Sequence, residues 1–266
     1  MAAGTTDRTR TLKDGRRLGY AEYGDPQGKP VFFFHGMPGS RLEGELADEA
    51  AKKLRIRVIS LDRPGYGLSD FQPRRAFLDW PPDVVALADA LGIERFAVAG
   101  VSGGGPYDEP DATEGMSGQN RLLFGLSRRF PWLVPLPMAL WSFATRHFAD
   151  RMMSAMVRSL PAPDQAALAR PEVLAMFKKD SVESFRSGSR GAAWETRMYA
   201  RPWGFRLEEI SMEVHVWQGE LDKNVPPSMG RYQGRTIPNC RVHFFSDEAH
   251  ISLVVNHIEE ILGALT

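Results

Sequence analysis

Ser102 stands at the centre of Gly100-Val101-Ser102-Gly103-Gly104, a G-x-S-x-G pentapeptide set directly after the apolar run Phe96 to Val101. A serine on a tight strand-to-helix turn needs small residues two places before and after it, because the strained backbone brings them into close approach. Such a turn lifts the hydroxyl clear of the sheet, where it can act as a nucleophile. The Gly103 N–H, at the start of the next helix, would then face a developing oxyanion. A phosphate-binding loop is the weaker reading, since no Gly-Lys-Ser/Thr follows. A second glycine turn, His35-Gly36-Met37-Pro38-Gly39, follows the apolar run Pro30 to Phe34 and places the Met37 N–H as a second oxyanion donor. Each turn alone is ordinary strand-to-helix punctuation; the pair points to acyl-transfer chemistry.

The elements around these turns have the rhythm of a sheet covered on both faces. An Asp14-Gly15 turn between alternating residues reads as a β-hairpin. Apolar runs at Pro30 to Phe34, Arg57 to Leu61 and Phe96 to Val101 alternate with helical patterns at Leu42 to Leu54 and Val84 to Leu91, the second opened by Pro81-Pro82. That alternation is what a parallel sheet requires. It stops after Ser102, and from about Asp111 to Phe205 the sequence is helical, Met-rich and broken by prolines. Strand signals resume at Val214 to Trp217 and Arg241 to Phe245, and an amphipathic helix, Leu253 to Leu265, closes the chain. The division expected is an α/β core over 1–107 and 206–266, with a helical cap over 108–205. The stretch Phe130 to Ala144 is too short to span a bilayer and carries Pro131, Pro135 and Pro137, so it reads as irregular or kinked cap structure.

The chain resembles the α/β-hydrolase family, in particular its cap-bearing, esterase-like branch. The resemblance rests on His35-Gly36-Met37-Pro38-Gly39, Asp62-Arg63-Pro64-Gly65-Tyr66-Gly67, Gly100-Val101-Ser102-Gly103-Gly104, Trp217-Gln218-Gly219-Glu220-Leu221-Asp222 and Ala249-His250, in the family's order. It implies a mostly parallel sheet flanked by helices, with the site at the carboxyl ends of the strands and a Ser-His-Asp triad. The triad acid belongs just past a late strand, where Asp222 stands before Lys223-Asn224-Val225-Pro226-Pro227; Glu220 and Asp247 are its competitors. Of the histidines, His215 and His243 lie in strand patterns, His147 in the cap and His257 in the last helix, whereas His250 follows the final strand in a loop. Ser102 would be nucleophile, His250 base and Asp222 its orienting acid, with Met37 and Gly103 as oxyanion donors. His35, Gly36, Trp132 and Trp141 are the candidate substrate contacts, the tryptophans as walls of an apolar acyl pocket. Asp62 to Gly67 resembles a loop beside the site, with Arg63 pairing locally. Ala249 replaces the glycine usual before the histidine.

Serine at position 102 points to ester, thioester, lactone or carbon–carbon hydrolysis, where an aspartate would suggest dehalogenase or epoxide-hydrolase chemistry. Relative to the family, the chain is short after the elbow: an internal deletion near Tyr107 would remove the nucleophile helix and the strand after it. A parallel crossover needs about a dozen residues or more, and no strand run appears before Val214. An open slot in the sheet, with unpaired ladder groups and uncovered apolar faces, is the expected result. Three readings remain: a serine hydrolase of a small ester-like substrate; a catalytically impaired or inactive protein that binds a small apolar ligand; and a cofactor-free, haloperoxidase-like perhydrolase using the same triad.

Composition supports a small-molecule partner. The 33 basic and 33 acidic side chains cancel, so the footprint of a nucleic-acid or polybasic membrane binder is missing. Cys240, the one cysteine, has no internal disulfide partner and no zinc-site spacing around it. Met1 to Gly15 lacks the apolar core of a signal peptide. A cytoplasmic enzyme with neither cofactor nor metal is therefore expected.

Overall fold

The left-handed backbone at Gly15 (φ 87°) closes a hairpin between β1 (Arg8–Thr11) and β2 (Arg17–Gly24). In the computed structural model, which describes residues 6–103 and 112–266, this hairpin forms the edge of a five-stranded sheet. The other strands are β3 (Lys29–Phe34), β4 (Ile56–Leu61) and β5 (Ala97–Gly100), in the order β1-β2-β4-β3-β5. β2 runs antiparallel to β4, while β3 is parallel to both β4 and β5. Alternation along β3 divides the core. Phe32 packs with Leu18, Ile59 and Leu87 on the face covered by α2 (Pro81–Ala90), and Val31 and Phe33 pack with Val58 and Ala51 on the face covered by α1 (Asp48–Leu54). Each such side chain, fully buried, contributes roughly 1.5–3 kcal/mol of hydrophobic stabilisation.

Among the described residues, six α-helices lie between β5 and the next strand: α3 (Gly118–Arg129), α4 (Pro135–His147), α5 (Ala149–Ser159), α6 (Ala162–Leu168), α7 (Pro171–Ser184) and α8 (Arg190–Tyr199). The stretch expected to be irregular instead contains α4, a regular helix. Pro135 occupies its first position, where proline's missing N–H costs nothing because a first-turn donor has no intrahelical partner.

The chain closes with β6 (Val214–Gly219), α9 (Pro227–Thr236), β7 (Cys240–Phe245) and α10 (His250–Gly263). β6 and β7 form a separate parallel pair, hydrogen-bonded to no strand of the larger sheet. The sheet is thus in two pieces, as the chain's shortness after the elbow leads one to expect. Among the described residues no strand lies beside β5 on the side away from β3. Val98 on β5 is 47% exposed, a value foreign to the middle of a doubly covered sheet. A cavity of about 700 Å³ occupies the slot, lined by Ala97 to Gly103 on one side and Val214 to Gln218 on the other. The proposed deletion point at Tyr107 and the shortened nucleophile helix fall within 104–111, outside the described residues. Among the described residues, no helix is long and apolar enough to cross a membrane.

Candidate active site

Ser102 leaves β5 with φ 69°, the left-handed region that a side chain rarely adopts. A Cβ built on Gly36 would sit 3.5 Å from Ser102 Cβ, so the His35–Gly39 loop lies against the serine. A Cβ at Gly103 would lie 2.3 Å from the Tyr199 hydroxyl, which explains why that position is glycine. Ser102, Asp222, His250 and Tyr199 all line the slot cavity.

The candidate acid and base follow the two strands of the smaller sheet. Asp222 follows β6 and is almost fully buried; its Oδ1 accepts the backbone N–H groups of Asn224 (2.7 Å) and Val225 (2.9 Å). Its Oδ2 accepts from His250 Nδ1 at 2.7 Å. The Leu221 N–H, donated to Glu248 O at 3.0 Å, ties the acid's loop to the base's. The rival carboxylates lie elsewhere: Glu220 pairs with Arg231 at 2.6 Å and Asp247 is exposed.

His250 is not in a loop, as the sequence suggested, but is the first residue of α10. Asp164 of α6, fully buried, caps that helix by accepting the N–H groups of Ile251 and Ser252, each at 2.8 Å. First-turn amides have no intrahelical partner, so a carboxylate there both satisfies them and complements the helix dipole. Burial alone would lower the His250 imidazole, but the Asp222 carboxylate, with Asp164 and Glu43 behind it, raises it above its ordinary value.

The oxyanion side differs from expectation. The Gly103 N–H donates to Val101 O at 2.9 Å and is therefore engaged within its own turn. Among the described residues the hydrogen bond of the His250 ring goes to Asp222, and none joins it to the Ser102 hydroxyl.

His35, expected as a substrate contact, is not on the wall of the slot cavity. It is fully buried, its Nε2 accepts the Arg63 N–H at 3.1 Å, and its Nδ1 therefore carries the proton donated to Gly36 O at 2.7 Å. Burial and then the Arg63 charge push its pKa well down, so it is a neutral structural ring. Gly36 is held as well, donating to the buried Glu43 carboxylate at 2.6 Å. Arg63 is not locally paired. Its guanidinium reaches 132 residues along the chain to Glu195 on α8 (2.8 and 3.0 Å) and also donates to the carbonyls of His35 and Gly36. Arg75 and the Tyr66 hydroxyl (2.9 Å) donate to the same carboxylate. Burial would raise Glu195, yet the two arginines hold it at about 2. Trp141 packs on Phe185 inside the helical segment (centroids 6.1 Å apart), and Trp132 is 69% exposed. Neither tryptophan lines the slot cavity.

Tyr199, Glu195 and Asp164 had no sequence signal, being ordinary polar residues on amphipathic helices. The only faint one was Gly103, whose missing side chain implies a close neighbour.

Residues 29–106 match the family model of the alpha/beta hydrolase fold. A non-heme chloroperoxidase of Streptomyces lividans is 35% identical over 98 residues, 36% of either chain. The chain matches between a quarter and just over a third of the length of its curated relatives. Solved structures align nearly end to end: a hydrolase from Pseudomonas aeruginosa PA01 (TM-score 0.66, 18% identity, 98% of this chain and 97% of that one) and the enol-lactonase from Burkholderia xenovorans LB400 (0.66, 19%, 97% and 99%). The chain has the α/β-hydrolase fold.

Proposed function

We propose that the chain is a serine hydrolase of small ester-like substrates, working through an acyl-enzyme on Ser102. The observation that carries the reading is the 2.7 Å hydrogen bond from His250 Nδ1 to the buried Asp222, on the wall of the cavity that also holds Ser102. Asp222 fixes the proton on Nδ1, which leaves Nε2 free to take the Ser102 proton as the oxygen attacks the acyl carbon. The imidazolium then protonates the departing alkoxide. A water, deprotonated by the same nitrogen, hydrolyses the acyl-enzyme and returns the proton to Ser102. The oxyanion is received by the Met37 N–H and by Gly103 once its N–H leaves Val101 O, with the Tyr199 hydroxyl beside them. Residues 108–205 act as the cap over this pocket. The enol-lactonase and hydrolase among the structural neighbours are compatible with ester or lactone substrates.

The test is a fluorophosphonate probe, which should label Ser102 and fail on Ser102→Ala, run beside aryl esters of increasing acyl length. No labelling and no turnover from folded protein would end the proposal.

A second reading, an impaired enzyme that binds a small apolar ligand, is favoured by the split sheet and the engaged Gly103 N–H. It predicts ligand binding without turnover, unchanged by His250→Ala.

A further inference from the structure

A second cavity of about 500 Å³ opens beside α8, on the far side of Arg75 and Phe77 from the slot. Its flat walls are Trp132, Trp194 and Trp203, and Arg74, Arg197 and Arg201 line it too. None of these three arginines is ion-paired with a described residue. The nearby acids are committed: Glu195 is held by Arg63, Arg75 and Tyr66, and Asp79 accepts the Ala76 N–H at 2.7 Å. Arg197 donates its Nε to Pro131 O at 2.6 Å and lies 6.0 Å from the Trp194 ring centre. The wall also holds two buried donors without a partner among the described residues, Arg75 Nε and Trp203 Nε1. The Arg75 side chain is only 2% exposed, so its free N–H is costly unless an acceptor enters.

Unmatched guanidiniums, orphaned N–H groups and indole faces together define the occupant. Guanidiniums bind carboxylates through paired N–H groups, and indoles take flat rings against their faces. We propose that this cavity binds a small planar aromatic carboxylate, at a site distinct from Ser102. The volume suits a one- or two-ring acid, within the usual range for small-ligand pockets. The site does not depend on hydrolytic activity.

Calorimetric titration with 2-naphthoate and its neutral isostere 2-naphthamide tests the proposal on the whole protein and on Ser102→Ala. Naphthoate should bind equally to both proteins, and at least about tenfold more tightly than the amide, because charge-assisted hydrogen bonds supply the difference. Arg74→Gln with Arg201→Gln, both exposed, should weaken naphthoate by about tenfold or more without changing the melting temperature. In nitrogen-labelled protein, the Trp203 indole N–H signal should shift with naphthoate. Equal affinity for acid and amide, an unchanged affinity in the arginine variant, an unmoved Trp203 signal, or loss of binding in Ser102→Ala would each overturn it.

Discussion

Asp222→Asn isolates what the acid does, because the structure fixes which way the new amide must face. Asp222 Oδ1 accepts two backbone N–H groups and Oδ2 accepts His250 Nδ1–H. In the variant the amide oxygen keeps the two backbone donors, so its NH₂ faces the imidazole. Nδ1 must then accept, which moves the ring proton to Nε2, the nitrogen that has to receive the Ser102 proton. Flipping the amide would restore the productive tautomer, but it would set an NH₂ against two buried N–H groups. At about 1–3 kcal/mol per orphaned donor, the flip costs roughly 2–6 kcal/mol. With about 1.4 kcal/mol per tenfold in rate, kcat should fall between about 30-fold and 10⁴-fold while KM barely moves. Steady-state hydrolysis of p-nitrophenyl esters, alongside thermal melting, reads this out. A folded variant within about threefold of the parent would refute the roles given to Asp222 and His250.

The base must be neutral to act, so with His250 raised by Asp222 the acidic limb of kcat/KM should lie above the ordinary imidazole value of about 6.5. The stability contribution has the opposite sense: a raised folded pKa stabilises fully below the unfolded value and is lost as pH rises through the folded one, so melting should weaken slightly where activity climbs. Asp164→Asn keeps an acceptor for Ile251 and Ser252 but removes a charge that raises His250, so the limb should move to lower pH with little change in melting temperature; an unmoved limb refutes that coupling. Glu195→Gln should cost about 3–5 kcal/mol in denaturant unfolding, since Arg63 and Arg75 would lose their buried counter-charge, and a loss under about 1 kcal/mol would count against the network. Val98→Ala should cost under about 1 kcal/mol whereas Val58→Ala, fully buried on β4, should cost about 2 kcal/mol; equal losses would mean that β5 is covered after all.

Legibility followed sequence distance. The strand runs and glycine turns are encoded within a few residues, so β3, β5 and the positions of Ser102 and His35 could be read directly. The function of His35 could not, because its two ring nitrogens are consumed by Arg63 N–H and Gly36 O, contacts visible only once the loops fold together. Arg63 misled for the same reason, its partner being a helix residue with no motif around it. Trp132 and Trp141 share the composition expected of an acyl pocket, but which face of a helix meets the site is set by packing. His250 looked like a loop residue because Ala249 before it has no side chain that can cap a helix; Asp164, 86 positions earlier, accepts the first-turn N–H groups instead.

The slot makes the relation between Ser102 and His250 a question of mechanics. In an unbroken sheet the nucleophile and the acid–base pair are held in register by continuous ladders, whereas here Ser102 rides on β5 and Asp222 on β6, with no ladder between the two pieces. What spans the gap is α10. Ile258 and Leu262 belong to the apolar cluster that also takes in Ala97, Ala99 and Val101 from the strand before Ser102, while the helix's first residue is His250, the proposed base. That first turn is pinned by Asp164 from the helical segment, and the residues before it by the Leu221–Glu248 hydrogen bond. The base is therefore fixed to the nucleophile by apolar packing, which tolerates small sliding more readily than a hydrogen-bonded ladder does. Ile258→Ala, at a half-buried position, should accordingly reduce kcat at temperatures where the protein stays folded. If kcat is unchanged in the folded variant, α10 is not the strut, and the two halves of the site are held by contacts within the helical segment instead.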